Sequence, residues 1–474
     1  MTDALVVASI VVFVYFAVFN LMTLALLVMS YSEIAWLVRG RQPRRGGLRP
    51  PTHRPGISVL VPAYNEQDIV VSTVAALLQQ AYAPLEVVVL DDGSTDATFE
   101  RLADAFDLVE LPVGPALPLP TAPLTSLHAS RRAPELRVLR KENGGRADAL
   151  NAGLCIARNE LVAITDADSV LDPDALIYAL RPFEERPDEC LAVGGSIRVA
   201  NRSRFAHGRI ELPRIGRGVA AMQTLEYVRG FLGTRIAWSR LNGLLIVSGA
   251  FGLFRRETLI GVGGFLPRSL GEDMEVTMRL HHLLRPRWPG ARVAFAADAI
   301  CWTQAPSSLS ALRGQRIRWQ VGLLECVRLH RGMLGRRRYG AGGLLSMPYL
   351  ALFEAISPIF ELGGYAVAIV LLIVEPSAWP WAASMLVATL LFGQLQTMMA
   401  LLVQETGFHG YSRRDLTRLL GWSLTECVWY HPLLALWRMT GTVKLLMGRR
   451  PGWGEIPREA LADAPHEAVS PLTR

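Results

Sequence analysis

The apolar positions along this chain follow two patterns. Leu5 to Tyr31 holds no charged residue, a run long enough to cross a hydrocarbon core of about 30 Å as a helix. Leu344 to Val374 is apolar except for Glu354 and Glu361, and Ala378 to Val403 carries no charge. Leu416 to Leu446 is mixed, rich in Leu and Trp, and broken by His431-Pro432. Between the first two stretches the pattern changes. Short runs rich in β-branched and aliphatic residues, at Ile57–Val61, Leu85–Leu90, Leu136–Arg140 and Leu161–Thr165, alternate with helical stretches. These helices are expected from about Glu66 to Ala81, from Asp96, and from about Arg146. The alternation predicts an α/β domain whose mostly parallel sheet is covered on both faces, set between transmembrane helices.

Composition agrees once this clustering is seen. Of 474 residues, 51% are apolar and 19% charged, against about 25% charged in soluble proteins. These proportions exclude disorder, collagen-like sequence and a disulfide scaffold. The five cysteines (Cys155, Cys190, Cys301, Cys326 and Cys427) are far apart and show no C-x-x-C spacing. That suits a reducing compartment and excludes a zinc ribbon.

Charge sets the expected orientation. Only Asp3 precedes the first apolar run, whereas Arg39, Arg41, Arg44, Arg45 and Arg49 follow it. Positive residues stay on the cytoplasmic side, so the N-terminus should face outward and the globular part the cytoplasm of an inner-membrane, multi-pass protein. Lacking a basic n-region and too long for a signal peptide, the first run reads as a signal anchor. Arg336-Arg337-Arg338, Arg413-Arg414, Lys444, Arg449 and Arg450 ask for the same side. Three spans satisfy them, or five if Pro358 splits the second stretch or the last forms a hairpin. The net charge of +7 is then explained by arginine collars beside an anionic lipid bilayer, and no basic helix with interleaved aromatics calls for nucleic acid.

The polar chemistry falls at strand ends, where such sheets bind ligands. Pro62-Ala63-Tyr64-Asn65-Glu66 follows the first strand, Asp91-Asp92-Gly93-Ser94-Thr95-Asp96 the second, and Asp166-Ala167-Asp168 the run Leu161–Thr165. Asp92 and Asp96 could equally form a turn and a helix cap; the company of the other strand ends favours a ligand role for Asp92. Asp166 and Asp168 are hard oxygen donors suited to Mg²⁺ or Mn²⁺. Lys141-Glu142-Asn143-Gly144-Gly145-Arg146 combines glycines that admit close backbone approach with two cations suited to phosphate. His281-His282 reads as helix surface rather than a metal pair, since adjacent residues point apart.

The motifs VPAYNE, DDGSTD, KENGGRADALNAG, DAD, GED and QRIRW occur in that order over Ile57 to Trp319. Together they resemble the family 2 glycosyltransferases with a GT-A (Rossmann-like) fold, in particular the membrane-embedded processive group that makes hyaluronan, cellulose, chitin oligomers and poly-N-acetylglucosamine. The resemblance implies a UDP-sugar donor, a growing β-linked glycan as acceptor, and room for accessory export subunits. It gives Tyr64, Glu66 and Asp92 to the uridine site, and Lys141 and Arg146, where the family usually has Lys, to the diphosphate. Asp166 would contact the nucleotide sugar and, with Asp168, hold the metal. Asp273 would be the general base. Ser248, Gly249, Glu272, Gln315, Arg318 and Trp319 would form the acceptor end, with Arg318 also able to meet the diphosphate and the Trp319 ring able to stack on a sugar.

Plainer readings stand beside these. Glu272, Asp273 and Glu275 could be an acidic first turn facing Arg279. Val247 to Gly252 could be a tightly packed strand. Q-x-x-R-W could lie on an amphipathic interfacial helix. Trp453-Gly454 with Arg458 faintly resembles the tail of hyaluronan synthases, and Leu111–Pro123 is a proline-rich loop or insertion of unknown purpose. The expected organisation is an anchor over 1–38, a catalytic domain over 55–303, interfacial helices over 304–340, membrane and interfacial helices over 341–447, and a tail over 448–474. Glu354 and Glu361 would line a pore, because intramembrane acids usually face a protein interior. Competing functions are transfer of one sugar to a lipid carrier, and a catalytically silent membrane receptor or scaffold.

Overall fold

The computed structural model describes residues 2–40, 54–112, 118–201, 203–206, 209–212, 215–216, 218–408 and 411–452. Its strands are β1 (Ile57–Ala63), β2 (Leu85–Asp91), β3 (Leu108–Leu111), β4 (Leu124–Ser130), β5 (Leu136–Lys141), β6 (Leu161–Thr165), β7 (Val170–Leu171), β8 (Cys190–Val199), β9 (Arg204–Ala206), β10 (Arg209–Leu212), β11 (Phe251–Arg255) and β12 (Arg292–Thr303). Ten form one sheet in the order β3-β4-β5-β2-β1-β6-β11-β8-β12-β7. The centre, β5-β2-β1-β6, is parallel, as the alternation predicts. The flanks are not. β4 pairs antiparallel with β5 and β3 antiparallel with β4, and β11 runs antiparallel between β6 and β8. The sheet is therefore mixed rather than mostly parallel. The edge strand β3 is only partly buried and carries Glu110 outward, a pattern that a search for buried runs passes over.

Period-two alternation builds the core. On β1 and β2, Ile57, Val59, Val61, Val87 and Val89 face one apolar cluster. Leu60, Val88 and Leu90 face the other. Both faces are thus buried, which is why these strands read as continuous apolar runs. The helix Arg146–Ile156 lies so close that a Cβ on Gly153 would meet Leu90 at 2.7 Å. The helices expected from Glu66 and Asp96 begin later, at Val70 and Thr98, because the residues between serve the strand-end loops.

Among the described residues three helices are long and apolar enough to cross a membrane: Ala4–Trp36, Ser357–Val374 and Pro376–Phe408. The second apolar stretch does divide at Pro358, which sits in the first turn of Ser357–Val374, where its missing N–H costs nothing. The part before it, Gly342–Ala355, forms short π- and α-helical turns. The last stretch is not broken at Pro432. Helix Arg413–Thr425 passes through a π-turn, Glu426–Tyr430, into helix His431–Leu446. That last helix packs against Leu309–Leu329, the helix carrying Q-x-x-R-W, and against Ser357–Val374.

Candidate functional site

The loops after β1 and β2 are stitched together. Asn65 has φ 56°, a left-handed conformation that Asn tolerates. Its N–H donates to Ser94 Oγ at 3.1 Å, and its Oδ1 accepts from Thr95 N at 2.8 Å. Glu66 N donates to Thr98 Oγ1 at 2.8 Å. Asp96 accepts from Gln67 N at 3.2 Å and Thr98 N at 3.0 Å, so it shapes the helix entry, the plainer of its two readings. The Tyr64 ring stays half exposed, and both Tyr64 and Glu66 line the cavity described below.

Asp92 and Lys141 take different places from those the motif implies. The Lys141 side chain is wholly buried, with Nζ 2.6 Å from both Asp92 Oδ1 and Asp148 Oδ1. It is absent from the cavity wall, so the structure does not bring it together with the other residues expected at a diphosphate. A cation between two buried carboxylates holds the loop instead. Asp92 also accepts from Gly144 N at 3.0 Å and Gly145 N at 2.7 Å. It remains in the cavity wall with most of its hydrogen-bonding capacity turned to shaping the glycine turn, where Gly145 has φ 85°.

Arg146 is the hub of the site. Its guanidinium donates to Asp166 Oδ1 at 2.8 and 3.0 Å, to Gly249 O at 2.8 Å and to Glu272 Oε1 at 2.5 Å. Burial opposes its charge, but Asp166 and Glu272 outweigh burial and hold its pKa above the usual arginine value. A Cβ on Gly249 would stand 3.0 Å from Arg146 Nη2, so the glycine admits this approach. Glu272 lines the cavity, yet its carboxylate braces Arg146 rather than standing open to an acceptor; burial raises its pKa against the pull of Arg146. Burial and the neighbouring Asp166 push Asp168 up to about 7.

Among the described residues no group of three or more His, Cys, Asp or Glu is placed to hold a metal by itself. Asp166 and Asp168 nevertheless fit Mg²⁺ or Mn²⁺, which are often held by one or two carboxylates with phosphate oxygens and water completing the shell.

Asp273 opens the helix Glu272–Leu284. Its Oδ2 accepts from Gly249 N at 2.9 Å and its Oδ1 from Met274 N at 2.7 Å, fixing a carboxylate in the cavity wall. Ser248 and Gly249 lie in the loop before β11, not in a strand, and also line the cavity. Gln315, Arg318 and Trp319 line it from helix Leu309–Leu329. Glu275 takes the plainer reading, donated to by Arg279 at 2.6 Å and lying 3.2 Å from His330 Nε2. His281 is buried against Leu244 O and His282 meets His330 at 3.1 Å, so that pair is not the helix surface expected. Trp453, Gly454 and Arg458 lie outside the described residues, as does 113–117 of the proline-rich loop.

The lining residues named above surround one cavity of about 2120 Å³, beyond the roughly 300–1,000 Å³ of an ordinary small-molecule pocket. It starts at Tyr64, Asp92, Asp166 and Asp168, passes Asp273 and Trp319, and continues between the apolar helices past Phe16, Asn20, Gly364, Met385 and Gln396. Glu354 and Glu361 line it, as expected of intramembrane acids. The sequence motifs do not point to Arg235, Glu226, Arg316 or Tyr430, which also line it. The signal for Arg235 is a lone basic residue amid the apolar and small residues of Gly230–Ala237.

Residues 58–113 match the family described as Glycosyl transferase family 2, and residues 127–322 match Glycosyltransferase like family 2. Poly-beta-1,6-N-acetyl-D-glucosamine synthase of Staphylococcus epidermidis is 28% identical over 272 residues, 56% of this chain and 54% of that protein. The Staphylococcus aureus protein of the same name is 27% identical over 270 residues, with the same coverage. The chain thus spans about half the length of the curated relatives it matches. Among solved structures, a mannosyltransferase from Pyrobaculum calidifontis with GDP-Man and Mn²⁺ superposes with a TM-score of 0.54 at 19% identity, covering 91% of this chain and 99% of that one. At that identity the likeness shows the fold alone.

Proposed function

The chain belongs to glycosyltransferase family 2, and from that premise we propose that it polymerises a UDP-sugar, UDP-N-acetylglucosamine in the first instance, into a β-linked glycan that leaves through its own membrane helices. The observation that carries this reading is the continuity of the cavity from the strand-end carboxylates to the space between the apolar helices. A transferase serving a small soluble acceptor has no need of such a passage. The choice of sugar rests on the staphylococcal relatives, whose name gives poly-β-1,6-N-acetylglucosamine as product.

The chemistry is one displacement. The base stacks near Tyr64, with Glu66 and the Asp92 loop around the nucleoside. Asp166 and Asp168 would hold Mg²⁺ or Mn²⁺, which when bound would supply positive charge to the diphosphate. Arg146 and Arg318 supply further positive charge there. Asp273 takes the proton of the acceptor hydroxyl. That oxygen forms a bond to the anomeric carbon as the bond to the β-phosphate breaks, and UDP departs with the electron pair. A single displacement inverts an α-linked donor to a β-linked product. The active site faces the cytoplasm, on the argument from the arginine collars.

Purified protein in sealed vesicles, active site outward, is given UDP-[¹⁴C]N-acetylglucosamine and Mn²⁺. We expect polymer inside the vesicles, protected from added glycosidase, and none after chelation of the metal. A lipid-linked monosaccharide as sole product would falsify the synthase reading.

A further inference from the structure

The segment Val228–Arg235 is a π-helix, a rare winding that recurs at functional sites. It presents Arg229, Gly230, Phe231, Thr234 and Arg235 to the cavity. The two arginines differ. Arg229 is paired with Glu426 and donates to Thr397 Oγ1 at 2.9 Å. Arg235 has no hydrogen bond or ion pair among the described residues, and its Nη1 is buried without a partner. Its guanidinium lies over the Phe231 ring, 3.7 Å from the centroid, so one face is covered and the N–H edges are left to meet something in the cavity.

A buried N–H without a partner is costly, and the partly exposed remainder of the guanidinium is open to a ligand in the cavity. Two neighbouring cations are held by protein partners: Lys141 is locked between Asp92 and Asp148, and Arg146 is bonded to Asp166, Glu272 and Gly249. Arg235 lines the same cavity as the candidate base Asp273 and the loop residues Ser248 and Gly249. What it faces there, on the reading of the preceding subsection, is the acceptor glycan. A planar donor edge backed by an aromatic ring suits a fixed sp² oxygen, and the glycan of an N-acetylated sugar offers one in its amide carbonyl.

We propose that Arg235 is an acceptor-binding residue that recognises the N-acetyl carbonyl of the growing chain. It thereby selects an N-acetylated glycan over a plain glucan. This rests on the synthase reading but is tested by binding rather than turnover. Detergent-purified protein is titrated by calorimetry with a β-1,6-linked N-acetylglucosamine tetramer, with the matching glucose tetramer, and with UDP plus Mn²⁺.

Wild type is expected to bind the N-acetylated tetramer more tightly than the glucan. Arg235→Met should weaken the first by roughly tenfold or more, as for a lost hydrogen bond to a charged group, and erase the preference. UDP affinity should stay unchanged. Arg235→Lys keeps the charge without the planar edge and should recover only part; it also guards against misfolding, which a melting curve on both variants reports. Unchanged tetramer binding in Arg235→Met, or a loss of UDP affinity as large as that of tetramer affinity, would overturn the assignment, the latter making Arg235 a diphosphate contact. Tetramer binding that falls in the variant of a protein that makes no polymer would instead overturn the synthase reading and leave Arg235 a glycan-binding residue.

Discussion

The guanidinium of Arg316 lies 4.4 Å from the centroid of the Trp319 ring. The same arginine is held by Glu226, with contacts of 2.5 and 2.8 Å, and Glu226 in turn accepts from Tyr430 Oη at 2.9 Å. Trp319 is nearly half exposed toward the cavity, so its tilt depends on three helical segments meeting beneath it. A ring offered to a sugar has to be held at one angle if stacking is to orient the acceptor.

Breaking this support has a measurable consequence. Glu226→Ala leaves the buried Arg316 without its partly exposed partner, and a polar group stranded in this way costs about 1–3 kcal/mol. The expected result is a lower melting temperature together with shorter product chains and a raised KM for an oligosaccharide primer. Arg316→Lys should keep part of the stability but not the flat contact with the ring, and so lose primer affinity with less change in melting temperature. Primer KM equal to wild type in both variants would detach Trp319 from acceptor binding.

Lys141 makes a contrasting case. Were it a diphosphate ligand, Lys141→Met would chiefly raise the KM for the donor. Buried between Asp92 and Asp148, it should instead destabilise the fold by about 3–5 kcal/mol, read as a lowered denaturation midpoint in the absence of any nucleotide. Stability within error of wild type, with donor KM raised, would return Lys141 to the nucleotide site.

These two residues mark what the sequence could and could not give. The central strands β1, β2, β5 and β6 were legible because both their faces are buried, which writes a continuous apolar run. The antiparallel flank β3-β4 was not, because one edge faces solvent and its alternation is shallow. Tyr64, Asp166 and Asp168 could be singled out because strand ends gather polar residues, and Asp273 because GED falls in the ordered series of motifs; all four line the cavity. The direction in which a side chain leaves its loop is set by tertiary contacts: Lys141 and Arg146 are five residues apart, one turned into the core and the other into the cavity. Glu226, Arg235, Arg316 and Tyr430 sit on helices whose approach no local pattern records.

Asp273 offers the sharpest separation of chemistry from binding. Its carboxylate is fixed by Gly249 N and Met274 N, and Asn preserves the shape and one acceptor oxygen while removing the basic site. Asp273→Asn should lower kcat by roughly 10²–10⁴-fold, the usual worth of a general base, and leave the Kd for UDP with Mn²⁺ within twofold of wild type. Calorimetric titration with UDP alongside a radiolabel assay checks both numbers. Turnover near the wild-type rate would remove Asp273 from the role of base.

The helix that carries Asp273 is anchored one turn below the catalytic end by Glu275, which is buried and bonded to Arg279 and lies 3.2 Å from His330. Burial alone would raise its carboxyl, but the hydrogen bond from His330 and the charge of Arg279 outweigh that and hold it below the usual glutamate value. A carboxyl depressed in the folded state binds its proton more readily when unfolded. Its contribution to stability is therefore fully present above the unfolded pKa of about 4.3 and is lost as pH falls through the lower, folded value. Glu275→Gln should be less stable than wild type at neutral pH, and the gap should close on acidification below about pH 4 as wild type loses what the variant never had. Thermal unfolding in detergent from pH 7 to pH 3 measures it, and a gap that stays constant over that range would show that Glu275 acts by packing and not by charge.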